Sequence, residues 1–188
     1  RGLLLAGRLV ENKVRYVEVR LGGWDGQHGN YNAGSNRAGE MDGAVAALLQ
    51  DLSNRGLLDD TMIVLTTEFG RTPKMNQRGG RDHFPKAFSV MLAGGGVNGG
   101  QSIGETDERA SSIKGEGNGQ KDLHTTIAHA LGLPIDKRVH PGGGRPYFVG
   151  DRGKVGVPGG GGRWALLGAV ERWVTLAERR RAQLPRMH

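Results

Sequence analysis

The sequence has no cysteine and few aromatic residues, and each shortage narrows the class of protein. Without cysteine, a disulfide scaffold and a zinc site built on thiolates are both excluded. Aromatic residues make up only 5% of the chain, so its hydrophobic core has to be mainly aliphatic. The apolar runs are far shorter than the ~18–20 residues that a membrane span requires, so we expect no span.

Glycine and arginine, by contrast, are abundant. The 188 residues include 34 glycines, where average usage gives about 13. The glycines have no G-X-Y period, so they predict many turns and loops rather than collagen. The net charge is +7, but six arginines and two glutamates in 163–188 account for +4 of it. The nearly neutral main body therefore does not predict a nucleic-acid interface.

Hydrophobic spacing predicts helices alternating with strands in a chain long enough for one ordinary domain. The predicted helices are 3–11, 37–54, 122–131 and 163–183, with Ser35 or Asn36 capping the second. The predicted strands are 14–21, 61–67 and 87–96, with shorter extended pieces at 101–103 and 145–149. This alternation predicts an α/β fold: a mostly parallel sheet with helices on both faces.

Metal-capable side chains follow two of the predicted strands. Asp25 and His28 come after the first, and Glu68, Asp82 and His83 come after the second. Ligands tend to bind beyond the carboxyl ends of parallel strands, so the two loops are expected to meet. Oxygen and imidazole donors without cysteine suit Zn or Mn in a catalytic site. The alternative for each residue is an ordinary solvated, capping or hydrogen-bonding role.

Other charged and glycine-rich features carry less information. Arg71 and Arg81 could clamp an anionic group, or could pair with Glu68 and Asp82. The clusters AGGGVNGG and PGGGG lack the context of a phosphate-binding loop. The remaining histidines are interpreted as surface or packing residues, and they are His124, His129 and His140.

Four stretches together resemble a known family: GGWD…HGN, LLDDTMIVLTTEFGRTPKMN, GGRDHFPKAFSVMLAGGGVNGGQSIGETDE and DLHTTIAHALGLP. Over about residues 1–155 the chain resembles the bacterial family called domain of unknown function 1501. That family is grouped with the alkaline phosphatase-like superfamily, which includes sulfatases and cofactor-independent phosphoglycerate mutases.

The resemblance implies an incomplete alkaline phosphatase-like α/β fold, with 1–155 as the C-terminal part of the domain. Residues 156–188 would then be a Gly-rich linker and a basic amphipathic helix of unknown role. The nucleophile of the superfamily belongs to a preceding half to which nothing in this sequence corresponds. Relatives are commonly exported, which implies a periplasmic location.

The implied activity is metal-dependent hydrolysis of phosphate or sulfate esters, with little turnover by this chain alone. Its cofactor would be a divalent metal such as Zn, Mn or Ca, and its substrate an anionic small-molecule ester. Arg71 and Arg81 would contact the anionic group. The implied metal ligands are Asp25, His28, Glu68, Asp82 and His83.

Two departures from the family pattern leave an alternative open. Phe69 stands where the superfamily carries a histidine ligand, so that ligand is either lost or replaced by Asp82 and His83. The spacing of Asp25 and His28 also differs from the related metal motifs. The alternative is a non-catalytic relative used for binding or export-linked assembly. The arginine-rich tail helix could separately contact nucleic acid or a membrane surface, or could simply pack on the body.

Overall fold

The computed structural model of the chain describes residues 1–28, 30–115, 117–140, 142, 144–156 and 164–165. Within these residues there are three α-helices: α1 (Gly2–Glu11), α2 (Asn30–Asn54) and α3 (Gln120–Ala130). The longer strands are β1 (Met62–Thr66) and β4 (Val90–Gly94). The two-residue strands are β2 (Gly70–Arg71), β3 (His83–Phe84), β5 (Val97–Asn98), β6 (Glu105–Thr106), β7 (Ile113–Lys114), β8 (Arg138–Val139), β9 (Tyr147–Phe148) and β10 (Trp164–Ala165). Short 3-10 helices span Leu58–Asp60 and Val149–Arg152.

The central sheet pairs β1 with β4 in antiparallel register, from Met62 opposite Gly94 to Thr66 opposite Val90. Parallel strands need a long crossover, which is usually a helix. The chain between β1 and β4 contains no helix; its only strands are the two short ones, β2 and β3, which pair as a hairpin. The chain therefore returns beside β1 in the opposite direction.

The predicted mostly parallel sheet with helices on both faces is consequently wrong. The described strands form five two-stranded sheets, and four of them are antiparallel. The exception is β5–β10, which is parallel. Several of the individual helices and strands agree with the prediction. The segment that connects β1 to β4, however, contains no helix, so it cannot form the helical crossover of an alkaline phosphatase-like sheet.

Helix α1 packs along α2, and this contact forms one part of the core. Ala6 and Gly7 of α1 are buried, as are Leu49 and Leu52 of α2. An ion pair between Arg55 and Glu11 joins the far ends of the two helices. In α2 the packing face includes Leu49 and Leu52 of the predicted apolar stripe, whereas α1 packs through Ala6 and Gly7 and leaves Leu4 and Leu5 exposed.

Helix α3 and the segment that follows β9 form another part of the core, and Leu92 and Ala93 of β4 are buried as well. The Asp122 carboxylate accepts hydrogen bonds from the backbone N–H of Gly119, at 2.8 Å, and of Lys154, at 2.6 Å. The first bond satisfies a donor at the helix start, and the second ties residues 150–156 to the helix. This helix confirms the predicted one at 122–131 to within two residues.

Three predictions about single helices or strands are wrong. Residues 14–21 alternate like a strand, yet no strand of the described chain pairs with them. Helix α2 begins seven residues before the predicted helix, so Ser35 and Asn36 lie inside it instead of capping it. Residues 101–103 are irregular, and the next strand, β6, begins at Glu105.

The predictions for the end of the chain are only partly covered. Strand β9 lies inside the predicted extended piece at 145–149. Trp164 and Ala165 form a strand, so the predicted helix at 163–183 is wrong at those two residues. The rest of that helix and of the linker before it lies outside the described residues. No helix in the described ranges is long and apolar enough to cross a membrane.

Candidate functional site

The loop formed by residues 24–28 lies against the β2–β3 hairpin. The backbone N–H of Arg81 donates to the Gly26 carbonyl at 3.2 Å, and the Asn76 side-chain amide donates to the Gln27 carbonyl at 3.1 Å. Both bonds use the backbone of the 24–28 loop as acceptor. These two bonds position the loop through its backbone and not through its own side chains.

Arg71, on β2, is the main side chain that holds this loop. Its guanidinium donates to Asp25 Oδ1 at 3.0 Å, to the Trp24 carbonyl at 3.1 Å and to the Arg81 carbonyl at 3.2 Å. The side chain is one-quarter exposed, so these bonds are partly shielded from water. Arg71 thus connects the loop to β2 and to the segment that leads into β3.

Asp25 and His83 meet at the centre of this arrangement, although 58 residues separate them. His83 Nε2 lies 3.1 Å from Asp25 Oδ1 and also 3.1 Å from the Gln27 amide nitrogen. The hydrogen bond from His83, followed by that from Arg71, holds the pKa of the Asp25 carboxyl below its usual value. The carboxylate is therefore ionised at neutral pH, with the Arg71 guanidinium and a ring nitrogen of His83 facing the same oxygen.

Phe69, which stands where the superfamily carries a histidine ligand, contacts the His83 ring. The two ring centroids are 4.2 Å apart and the rings are tilted by 37°. The Arg71 guanidinium lies 5.8 Å from the Phe69 ring centroid. Phe69 therefore supports the imidazole from one side.

The other three predicted ligands lie outside the Asp25–His83 contact. Asp82 Oδ1 accepts from the Asn76 amide at 2.9 Å, and His28 Nε2 lies 2.8 Å from an Arg78 guanidinium nitrogen. Glu68 is exposed beyond the end of β1 and has no hydrogen bond or ion pair to the described residues. The structure thus brings together two of the five predicted donors.

A divalent metal fits this arrangement in chemistry but not in number of ligands. A carboxylate and an imidazole are donors that Zn or Mn accepts. Across the described residues, however, no group of three or more histidines and acidic residues is placed to hold a metal. Asp25 and His83 can therefore supply two ligands, and any others have to come from elsewhere.

The two predicted anion contacts, Arg71 and Arg81, are both directed into the protein backbone. Arg81 donates to the Thr72 carbonyl at 2.7 Å and to the Pro73 carbonyl. Among the described residues neither arginine pairs with Glu68 or Asp82, and Arg71 pairs with Asp25 instead. Their geometry is that of side chains that shape the loop.

Comparison with known proteins supplies a family but no activity. The sequence profile of a protein family of unknown function, DUF1501, matches residues 1–156. The chain belongs to the DUF1501 family. No curated protein and no solved structure matches it.

Three residues of this DUF1501 chain that sequence reasoning did not select also build the site: Gln27, Asn76 and Arg78. Asn76 Oδ1 accepts from the backbone N–H groups of Arg78 and Gly80, both at 3.0 Å, as in a typical asparagine turn. An open depression of about 250 Å³ lies beside this turn, lined by Gln27, Asn76, Gln77, Arg78 and Asp82. The Asn-x-x-Gly-Gly spacing could have predicted the turn, but not what it contacts.

Proposed function

We propose that this chain contributes Asp25 and His83 to a metal-dependent hydrolase that acts on phosphate or sulfate esters. The observation that carries the proposal is the 3.1 Å approach of the His83 imidazole to the Asp25 carboxylate across two distant segments. The motif resemblance to phosphatases and sulfatases supports the class of substrate. The periplasmic location implied by that resemblance belongs to the same proposal.

A bound divalent metal would supply activation of a nucleophile and stabilisation of negative charge on the ester. The residues of this chain would bind and orient. Arg71 fixes the Asp25 carboxylate, and Phe69 supports the His83 ring. His83 Nε2 can donate to Asp25 or accept from the Gln27 amide, but a single nitrogen of a neutral imidazole cannot do both. The tautomer of His83 therefore determines whether its Nε2 is hydrogen-bonded to Asp25 or to Gln27.

The test is metal uptake by the purified chain, measured by equilibrium dialysis against Zn or Mn and elemental analysis. We expect bound metal in the unchanged chain, and affinity lowered by about tenfold or more in D25N and in H83Q. D107N is the matched control, because Asp107 is a half-buried carboxylate on the turn of another hairpin. No bound metal, or equal loss in all three variants, would refute the proposal.

Turnover provides the second measurement. We expect hydrolysis of p-nitrophenyl phosphate or sulfate to require the metal and to be lost in D25N, measured on the longest chain that carries these residues. If the chain takes up metal but hydrolyses neither ester, the proposed hydrolase activity is refuted and only metal binding is supported.

A non-catalytic binding role is the second candidate, and one observation favours it. Asp25 Oδ1 is already paired with Arg71 and with His83, so the local charge is balanced without a metal. Under this alternative, D25N lowers the melting temperature equally with and without added Zn or Mn. Under the first proposal, the metal raises the melting temperature of the unchanged chain and not that of D25N.

A further inference from the structure

We propose that Arg78, on the turn between β2 and β3, is the residue that binds the anionic group of a phosphate or sulfate ligand. The inference rests on the proposed function for its class of ligand, since it assigns the anion contact of that same site. It replaces the two arginines that sequence alone selected with one that it did not select.

The guanidinium groups of Arg71 and Arg81 are already engaged in hydrogen bonds within the protein. Arg71 donates to two backbone carbonyls and to Asp25, and Arg81 donates to two further carbonyls of its own loop. Both side chains are partly buried. Turning either guanidinium toward a ligand would leave these carbonyl groups without their donors, at a cost comparable to the bond gained.

The Arg78 guanidinium, by contrast, is engaged in a single contact with the described residues. It is exposed and lines the open depression beside the 24–28 loop. One guanidinium nitrogen faces His28 Nε2 at 2.8 Å, which leaves the other N–H groups of the planar fork without a partner among the described residues. A guanidinium carries five donors, so one contact orients it without using its capacity for a tetrahedral anion.

The rest of the depression offers amide groups beside this charge, although both amide hydrogens of Asn76 already donate, to the Gln27 carbonyl and to Asp82 Oδ1. Gln27, Asn76 and Gln77 line it together with Arg78. Asp82 lines it too, and its carboxylate would repel an anion, but Asp82 Oδ1 accepts a hydrogen bond from Asn76 at 2.9 Å. Phosphate and sulfate fit a guanidinium with amides beside it, and this attraction has to outweigh the repulsion from the Asp82 carboxylate.

The test is titration of the full chain with inorganic phosphate and with sulfate, followed by calorimetry and by NMR of the arginine side chains. We expect saturable binding, a dissociation constant raised about tenfold or more in R78Q, and a smaller loss in R78K, which keeps the charge but not the fork. The matched control is R109Q, since Arg109 is an exposed arginine on the β6–β7 turn. Circular dichroism checks that each variant is folded.

Two outcomes would overturn the inference: no saturable binding of either anion, or equal weakening in R78Q and R109Q. The result is separable from the proposed function. Arg78-dependent anion binding in a chain that takes up no metal would refute the hydrolase and leave this site standing. Metal-dependent turnover that R78Q leaves unchanged would refute this site alone.

Discussion

At the scale of single residues, Arg71 forms both an ion pair and hydrogen bonds to the backbone. Its guanidinium reaches the Trp24 and Arg81 carbonyls and the Asp25 carboxylate, so it binds both sides of the contact between loop and hairpin. A side chain in this position contributes mainly through satisfied hydrogen bonds, because two backbone carbonyls would otherwise lose a donor.

Replacing Arg71 should therefore destabilise the chain more than replacing an exposed arginine. We expect R71Q to lower the free energy of unfolding by about 1–2 kcal/mol in urea titrations, since its bonds are only partly shielded from water. R71K should recover less than half of the loss, because an ammonium cannot reach all three acceptors. A loss in R109Q equal to that in R71Q would show that only net charge matters.

Asp107 offers a test that depends on pH. The Ser111 hydroxyl and backbone N–H, followed by those of Ser112, lower the pKa of the Asp107 carboxyl from its usual 3.8 to about 2. The ionised carboxylate therefore stabilises this turn above pH ~4, and the stabilisation is lost as pH falls through the lowered pKa. NMR titration of the Asp107 carboxyl carbon should show this midpoint, and S111A should move it upward. An ordinary midpoint in the unchanged chain would contradict the turn geometry.

Residue type predicted which side chains could do chemistry, but not which of them meet. Asp25 and His83 were both selected because carboxylate and imidazole groups after strands are candidate ligands. Their contact depends on how the 24–28 loop lies against the hairpin, and that is set by backbone bonds such as Arg81 N–H to the Gly26 carbonyl. Arg78 was missed for the same reason, because its importance comes from the commitment of Arg71 and Arg81.

At the scale of elements, Gly80 allows the loop and the hairpin to approach. It is buried, and a Cβ added there would overlap the backbone carbonyl groups of Gly26 and Gln27. A side chain at this position would push the 24–28 loop away, and Asp25 would move away from His83 with it.

We therefore expect G80A to lower the free energy of unfolding by about 1–3 kcal/mol and to abolish the NMR signature of the contact between Asp25 and His83. The control is G43A, in the middle of α2, where a Cβ meets nothing within 4 Å. Alanine should stabilise that helix by about 0.5–1 kcal/mol. If G80A is as harmless as G43A, the loop does not lie where the structure places it.

Thr125 tests the second contact between elements, that of α3 with the segment after β9. Its side chain is 2% exposed and donates to the Gly150 carbonyl at 2.8 Å. T125V keeps the shape and removes the donor, so we expect a loss of about 1–3 kcal/mol in unfolding free energy. T106V, at an exposed position in β6, should change it by less than about 0.5 kcal/mol. Equal effects of the two variants would contradict this account.

The elements themselves were predictable where a local pattern was strong. Strands β1 and β4 and helix α3 follow from their apolar runs and turn residues, and the structure confirms them. The direction in which β1 and β4 pair was not predictable from those runs, because an apolar strand reads the same in either orientation. The absence of a helical pattern between residues 67 and 89 was the available signal, and it favours the antiparallel return.

At the scale of the whole molecule, the described chain is divided into small sheets around a limited core. Six apolar residues are buried in the described ranges: Ala6, Leu49, Leu52, Leu92, Ala93 and Ala128. The family resemblance predicted one continuous sheet, which would bury both faces of its central strands. The described strands form no such sheet, and large apolar side chains remain at the surface.

These exposed side chains are concentrated in one stretch of the sequence. Of the eleven large apolar residues that are exposed in the described chain, seven lie between residues 4 and 24, including Leu4 at 70%, Leu5 at 60% and Tyr16 at 63% exposure. Helix α1 and the extended segment after it also lie close together, since a Cβ on Gly2 would contact the Val19 side chain. Where exposed apolar side chains are contiguous, they bind apolar ligands and dyes.

We expect the folded chain to bind the fluorescent dye ANS without denaturant and L5Q/Y16S to reduce that fluorescence by half or more, with circular dichroism unchanged. Y147S is the control, because Tyr147 is 52% exposed but lies on β9, far along the chain from this region. If ANS does not bind, or if Y147S removes as much signal as the double variant, the apolar surface is not organised around residues 4–24. A fluorescence loss confined to L5Q/Y16S would instead show that α1 and the segment after it form one apolar surface.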